Sequence, residues 1–201
     1  MSIDKLSRTA FLSWGAKGGV AALAAGSGLG VLAESALAET LSDGDLAYLR
    51  LLISTELLGA DFYANAVAAE PYDGLPARQL KLALANENEH YTTLSAILTS
   101  AGQVPATAED IDFTYPEGAF GTTVAATKTA VGLEGLFLGT YLGAVGGVQA
   151  FSLYQPLARI AACQAQHFTA FSAELGRAGF QAFPAPIPID AASQALAAYT
   201  S

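Results

Sequence analysis

The sequence predicts an all-α protein, four helices set as two antiparallel hairpins with a long connection between them. Three observations carry this. The chain is 52% apolar and rich in Ala, Leu and Gly, without the β-branched runs of sheet proteins. Apolar residues recur three and four apart in successive stretches, the spacing of a buried helical stripe. Short turn signals separate the first stretch from the second and the third from the fourth, whereas residues 103–121 form a connection long enough to need a structural reason. At 201 residues the chain fits one domain with an ordinary core.

Residues 1–38 read as an export signal preceding a domain at 39–201. Lys5, Arg8 and Lys17 give a positive start, residues 18–32 are a weakly apolar Ala/Gly run, and Ala36-Leu37-Ala38 fits a small-x-small cleavage site. Ser7-Arg8-Thr9-Ala10-Phe11-Leu12 resembles the twin-arginine export signal, with Thr9 where the second arginine would stand. The expected location is therefore the periplasm or cell envelope.

The first helix starts at Ser42 or Asp43 as N-cap and places Leu46, Leu49, Ile53, Glu56, Leu57, Ala60 and Tyr63 along one stripe as far as about Ala69. Glu70-Pro71-Tyr72-Asp73-Gly74 is turn chemistry. The second helix begins near Pro76, a residue suited to the first helical position, and runs to Gly102. A helix of that length spans about 39 Å, and an extended connection of about 19 residues reaches about 60 Å. The connection can thus recross the bundle and leave the third helix, roughly residues 122–145, parallel to the second. After Gly146-Gly147 the fourth helix starts between Ala150 and Pro156, which either opens it or kinks it, and ends at Gly176. A Pro-rich loop at residues 183–188 precedes a short tail helix capped by Asp190.

Register within the hairpins brings chemistry to one level. Taking the first turn near Tyr72, Glu56 lies sixteen residues before it, and Glu87 and His90 fifteen and eighteen after. Taking the second near Ala150, Glu134 lies sixteen before, and Gln164 and His167 fourteen and seventeen after. Residues three apart share a helix face, so Glu87 with His90, and Gln164 with His167, address one object. The halves rhyme further: Tyr63 follows Glu56 by seven, as Tyr141 follows Glu134. Glu134 is the only charged residue between Lys128 and Arg159. A carboxylate buried without a partner costs several kcal/mol or is neutralised, so three converging glutamates call for a cation, and a divalent metal pair is the simplest occupant.

A Glu on helix one, Glu-x-x-His on helix two, a Glu on helix three and a further x-x-His pair on helix four, with a long crossover between hairpins, resembles the ferritin-like di-iron or di-manganese carboxylate proteins over residues 42–176. It is similar in particular to their exported branch, which includes desiccation-related proteins. The resemblance implies metal ligands at Glu56, Glu87, His90, Glu134, Gln164 and His167, with Glu134 or Glu87 bridging, and Gln164 in place of a glutamate, as also in cage-forming ferritins. It implies iron or manganese, dioxygen or peroxide as reactant, oxidation of ferrous iron or peroxide removal, and a homo-oligomer as a further expectation. A glutamine carries no charge to hold a second metal tightly, so one strong and one weaker site follow. The alternative is a non-catalytic scaffold protecting the envelope under stress or desiccation.

The formal charge of -9 argues against nucleic acid or an anionic membrane surface as partner, and the single Cys163 against an internal disulfide. Cys163 reads as a small buried hydrophobe, and Tyr63, Tyr91 and Tyr141 as core aromatics with bonded hydroxyls. Asp61 and Glu89 read as solvated, and the acidic crossover as a solvent-facing strap. Residues 129–154 are apolar enough to mimic a membrane span, but the central Glu134 and the symmetry with the amphipathic first half favour a bundle helix.

Overall fold

The computed structural model describes residues 40–69 and 74–201. The expected export signal at 1–38 and most of the first turn lie outside the described residues. Within them the protein is all-helical: α1 (Asp43–Ala68), α2 (Gly74–Ser100), α3 (Thr123–Gly147), α4 (Phe151–Glu174) and a short α5 (Ile189–Ala197), with a 3-10 turn at Ala108–Asp110. The four long helices form a bundle in which α1 pairs with α2, α3 with α4, and the two hairpins meet through α1 on α3 and α2 on α4.

Local chemistry sets the helix ends. Ser42 caps α1, its Oγ accepting from Asp45 N at 3.1 Å while Asp45 Oδ2 accepts from Ser42 N at 3.0 Å. Thr122 caps α3 through Ala125 N at 3.1 Å. The helices α2 and α4 close alike, on Gly102 (φ 74°) and Gly176 (φ 67°). In each case the following amide reaches back five residues, Gln103 N to Leu98 O at 3.1 Å and Arg177 N to Ser172 O at 2.9 Å, the closure that a left-handed glycine permits. One expected start falls at the early end of its range and another is corrected. The N-cap of α4 is Ala150, so Pro156 lies inside the helix and does not open it. Pro188 is the N-cap of α5, and Asp190 sits in its first turn.

Helix directions follow from contacts between the halves. As α1 advances from Glu56 to Tyr63, its partners on α3 recede from Tyr141 to Glu134, so α1 and α3 are antiparallel and α3 runs parallel to α2. The crossover therefore recrosses the bundle as expected, but it is more than a strap. Ala106, Ile111 and Ala119 are buried, whereas Val104, Glu109 and Glu117 face out. The Tyr91 hydroxyl, expected in the core, donates to Ala106 O at 2.9 Å. Tyr115 donates to Asp61 Oδ2 at 2.7 Å, so Asp61 is a partly buried acceptor and not a solvated position. The chain end clips on as well, Thr114 N donating to Tyr199 O at 2.8 Å and Ser201 N to Asp112 O at 3.2 Å.

Asp45 ties the halves together at one end. It is 1% exposed, and its Oδ1 accepts from Gln149 N at 2.6 Å, joining the start of α1 to the α3–α4 turn. The helix α3 is long and apolar enough to cross a membrane by length and composition, yet half of its most apolar window is buried. Gly139, Gly143 and Gly147 line one of its faces. Ile187 N donates to Gly139 O at 2.8 Å, a Cβ on Gly143 would stand 2.0 Å from Ile187 O, and one on Gly147 2.1 Å from the Tyr48 hydroxyl. The residues before α5, together with α1, cover this stripe, which admits backbone only because it lacks side chains.

Candidate metal centre

Midway along the bundle, all six residues singled out by register come together. Glu56, Glu87, Glu134 and Gln164 are 0% exposed, and His90 and His167 keep side-chain exposures of 11% and 10%. Donor atoms of Glu56, Glu87 and His90 lie within 4.8 Å of one another, and so do those of Glu87, Glu134 and His167. Glu87 belongs to both triads. His90 Nδ1 is 3.2 Å from Glu56 Oε2 and 3.6 Å from Glu87 Oε2. His167 Nδ1 is 3.1 Å from Glu87 Oε1 and 3.3 Å from Glu134 Oε1. Both imidazoles thus turn the same nitrogen inward.

The neighbours hold this arrangement in place. The Tyr63 hydroxyl on α1 donates to Glu134 Oε1 on α3, and the Tyr141 hydroxyl on α3 donates to Glu56 Oε1 on α1. The expectation of buried, hydrogen-bonded tyrosines holds, with a crossing between halves that spacing alone does not reveal. Gly59, one turn beyond Glu56, leaves room for Glu87 and Phe137, since a Cβ there would lie 3.1 Å from Glu87 Cγ and from the Phe137 ring. Gln164 breaks the two-fold pattern: its Nε2 donates to Glu87 Oε2 at 3.1 Å and its Oε1 lies 3.1 Å from His167 Nδ1. On the far side of the His167 ring, Asn86 Nδ2 is 2.9 Å and Cys163 Sγ 3.6 Å from Nε2.

Cys163 is therefore half-buried beside an imidazole, and the reading of a small buried hydrophobe is corrected. Its position four residues before His167, one helical turn, was the available signal. Asn86 carried no comparable signal, because its contact depends on how α2 meets α4. Glu89 is exposed, as expected.

Without metal, protons balance the charge. Burial pushes Glu56 well up, and the Glu87 carboxylate beside it adds to this. Burial likewise raises Glu134 to about 7. Burial opposes ionisation of Glu87 too, but hydrogen bonds from Glu56 and both imidazoles outweigh it and hold this carboxyl far below the usual range. Burial would neutralise the imidazoles, yet hydrogen bonds to Cys163 and to the glutamates raise His90 and His167 to about 12. For Cys163, burial is outweighed by the two imidazoles, which bring its thiol down to about 6.

The residues fit a bound metal. Glu134 Oε2 is buried without a hydrogen-bond donor, Glu87 Oε1 faces only the inward nitrogen of His167, and among the described residues no lysine or arginine pairs with the three glutamates. Carboxylate oxygen with imidazole nitrogen suits iron, manganese or zinc. A family model described as a ferritin-like domain matches residues 44–177. No curated protein matches the sequence.

Proposed function

This chain belongs to the ferritin-like domain family, and on that premise we propose that the cluster holds two metal ions, iron or manganese, with Glu87 shared between them. Glu56 and His90 complete one site, Glu134 and His167 the other, and Gln164 lends an oxygen to the second. The observation that carries this reading is the pair of donor triads meeting at Glu87, their glutamates fully buried and, among the described residues, paired with no lysine or arginine.

Bound iron or manganese supplies reversible redox chemistry toward dioxygen or peroxide, and we assign the protein to oxidation of ferrous iron or consumption of peroxide. The chain's own residues do the rest. The apolar bundle excludes bulk water, which strengthens every charge interaction inside it. Tyr63 and Tyr141 orient the two outer glutamates and keep an O–H within reach of each. The Gln164 amide withdraws one lone pair of Glu87 from the metals, which supports a tighter and a looser site. The positive start, apolar run and small-x-small site of residues 1–38 support action outside the cytoplasm.

Elemental analysis of protein from cells grown with iron and manganese tests the reading. Wild type is expected to carry metal, and Glu87→Ala to lose both sites together, whereas Glu134→Ala loses one before the other. Metal-free wild type, or a Glu87→Ala variant as fully loaded, overturns it. Rapid mixing with ferrous iron and dioxygen separates an active centre from a silent scaffold, which would show no accelerated oxidation.

A further inference from the structure

The centre is not equally sealed on all sides. Its glutamates and Gln164 are 0% exposed, and of its six residues His90 and His167 are the ones that solvent touches. On that side lies a cleft of about 390 Å³ between α2 and α4, lined by Glu89, His90 and Thr93 from one helix and by Arg159 and Cys163 from the other. His90 forms its wall and also touches Glu56 at 3.2 Å, so one side chain separates cleft from centre. At about 30 Å³ per water the cleft has room for a hydrated divalent ion.

Three kinds of metal donor line that wall: the Glu89 carboxylate at the exposed rim, and the Cys163 thiol and His90 imidazole further in. A smaller hollow of about 160 Å³ beside α3 and α4, lined by Leu138, Phe168, Phe180 and Pro184 among others, offers no carboxylate, imidazole or thiol. The formal charge of -9 draws cations toward the protein as a whole, while Arg159 places one positive charge at the mouth.

We propose that the α2–α4 cleft is the port by which divalent cations enter the centre, with Glu89 and Arg159 setting the charge of the mouth and Cys163 forming the inner wall. The port rests on the metal-centre reading. In use, a cation sheds water against Glu89 and passes Cys163. His90 then gives way at the inner end, because it is the least buried of the six. Arg159 slows this passage by repelling any approaching dication.

Cobalt(II) serves as probe, its visible absorbance reporting binding during stopped-flow mixing with the purified protein. Cys163 is the single cysteine, so thiol reagents address this wall alone. A bulky maleimide is expected to slow entry at least about tenfold and a small methylthio group much less, with Cys163→Ala insensitive to either. Glu89→Gln is expected to slow entry and Arg159→Gln to speed it, each by at least about threefold, the order expected of local charge steering, with unchanged final absorbance. Normal final absorbance reached at unchanged rates in the blocked protein, or in both charge variants, overturns the port alone. Absence of the cobalt bands in untreated protein overturns the centre itself and the port with it.

Discussion

Gln164→Glu supplies the carboxylate that the second half lacks, and its effect should reverse sign with metal. In the metal-free protein Gln164 Nε2 stands 3.1 Å from Glu87 Oε2. Two negative oxygens at that distance repel by about 5 kcal/mol at an effective dielectric of about 20; the His167 imidazolium 3.1 Å from the Gln164 oxygen attracts a carboxylate about as strongly, and burial of the site then decides for the neutral acid, as it does at Glu56. Protonating the new carboxyl at pH 7 costs less, about 3 kcal/mol, starting from the ordinary glutamate value of 4.5 at about 1.4 kcal/mol per unit. Protonation therefore wins, and the protonated group can still donate to Glu87. The folded pKa of this group lies above its unfolded value, so the variant matches wild type near pH 4.5 and falls behind as pH rises. At pH 7 the deficit is about 3 kcal/mol, or about 6–12 °C in Tm for a chain of this size. Excess manganese removes the repulsion, and the variant should then gain more from metal than wild type does. Thermal unfolding followed by circular dichroism, in chelator and in manganese from pH 4.5 to 7.5, reads both arms. An unchanged Tm in chelator at pH 7, or a deficit that manganese leaves in place, refutes the geometry assigned to Gln164.

Metal binding should strengthen with pH, since His90 and His167, both raised to about 12, must each release a proton to become ligands. Calorimetric titration with manganese in buffers of different ionisation enthalpy should show about three to four protons released at pH 7, two from the imidazoles, one from Glu56 and a fraction from Glu134, and a buffer-independent enthalpy contradicts this. Tyr63→Phe and Tyr141→Phe each remove a donor to a buried glutamate and should cost about 1.5–3 kcal/mol in denaturant unfolding of the metal-free protein; a change under about 0.5 kcal/mol argues that neither bond matters. Asp45→Ala strips buried acceptors from Gln149 and Ser42 and should cost about 3 kcal/mol. In wild type, burial raises the Asp45 carboxyl, but hydrogen bonds from Gln149 and Ser42 outweigh it and hold the value below 3.8. Its stabilisation is therefore present above that pH and is lost as acid titrates the folded group, so wild type and variant should converge in acid unfolding curves. Gly143→Ala puts a Cβ into Ile187 O and should release residues 183–188 to limited proteolysis, which an unaltered digestion pattern would disprove.

The bundle was legible because helical periodicity and turn residues act locally, and the ligand level because antiparallel hairpins convert distance from a turn into height. The fourth helix start was harder: Pro156 is compatible with either position, and burial of Leu153 beneath the turn decides for the earlier one. Asp190 lost its expected cap to Pro188, whose fixed φ suits the approach to the helix. What could not be read were contacts made across the bundle. Nothing local marks Asp45 as the acceptor for Gln149, more than a hundred residues away, or crosses Tyr63 to Glu134. The crossover looked like a solvated strap because its acids dominate by eye, while the widely spaced Ala106, Ile111 and Ala119 take the inner side.

The crossed tyrosines make each hairpin incomplete by itself. Either half alone would have to hide an acid whose proton donor sits on the other, at the spot where an unanswered charge is hardest to bear. Two separately made halves should consequently stay unfolded or soluble only as loose helices until mixed, and assemble as a pair or not at all.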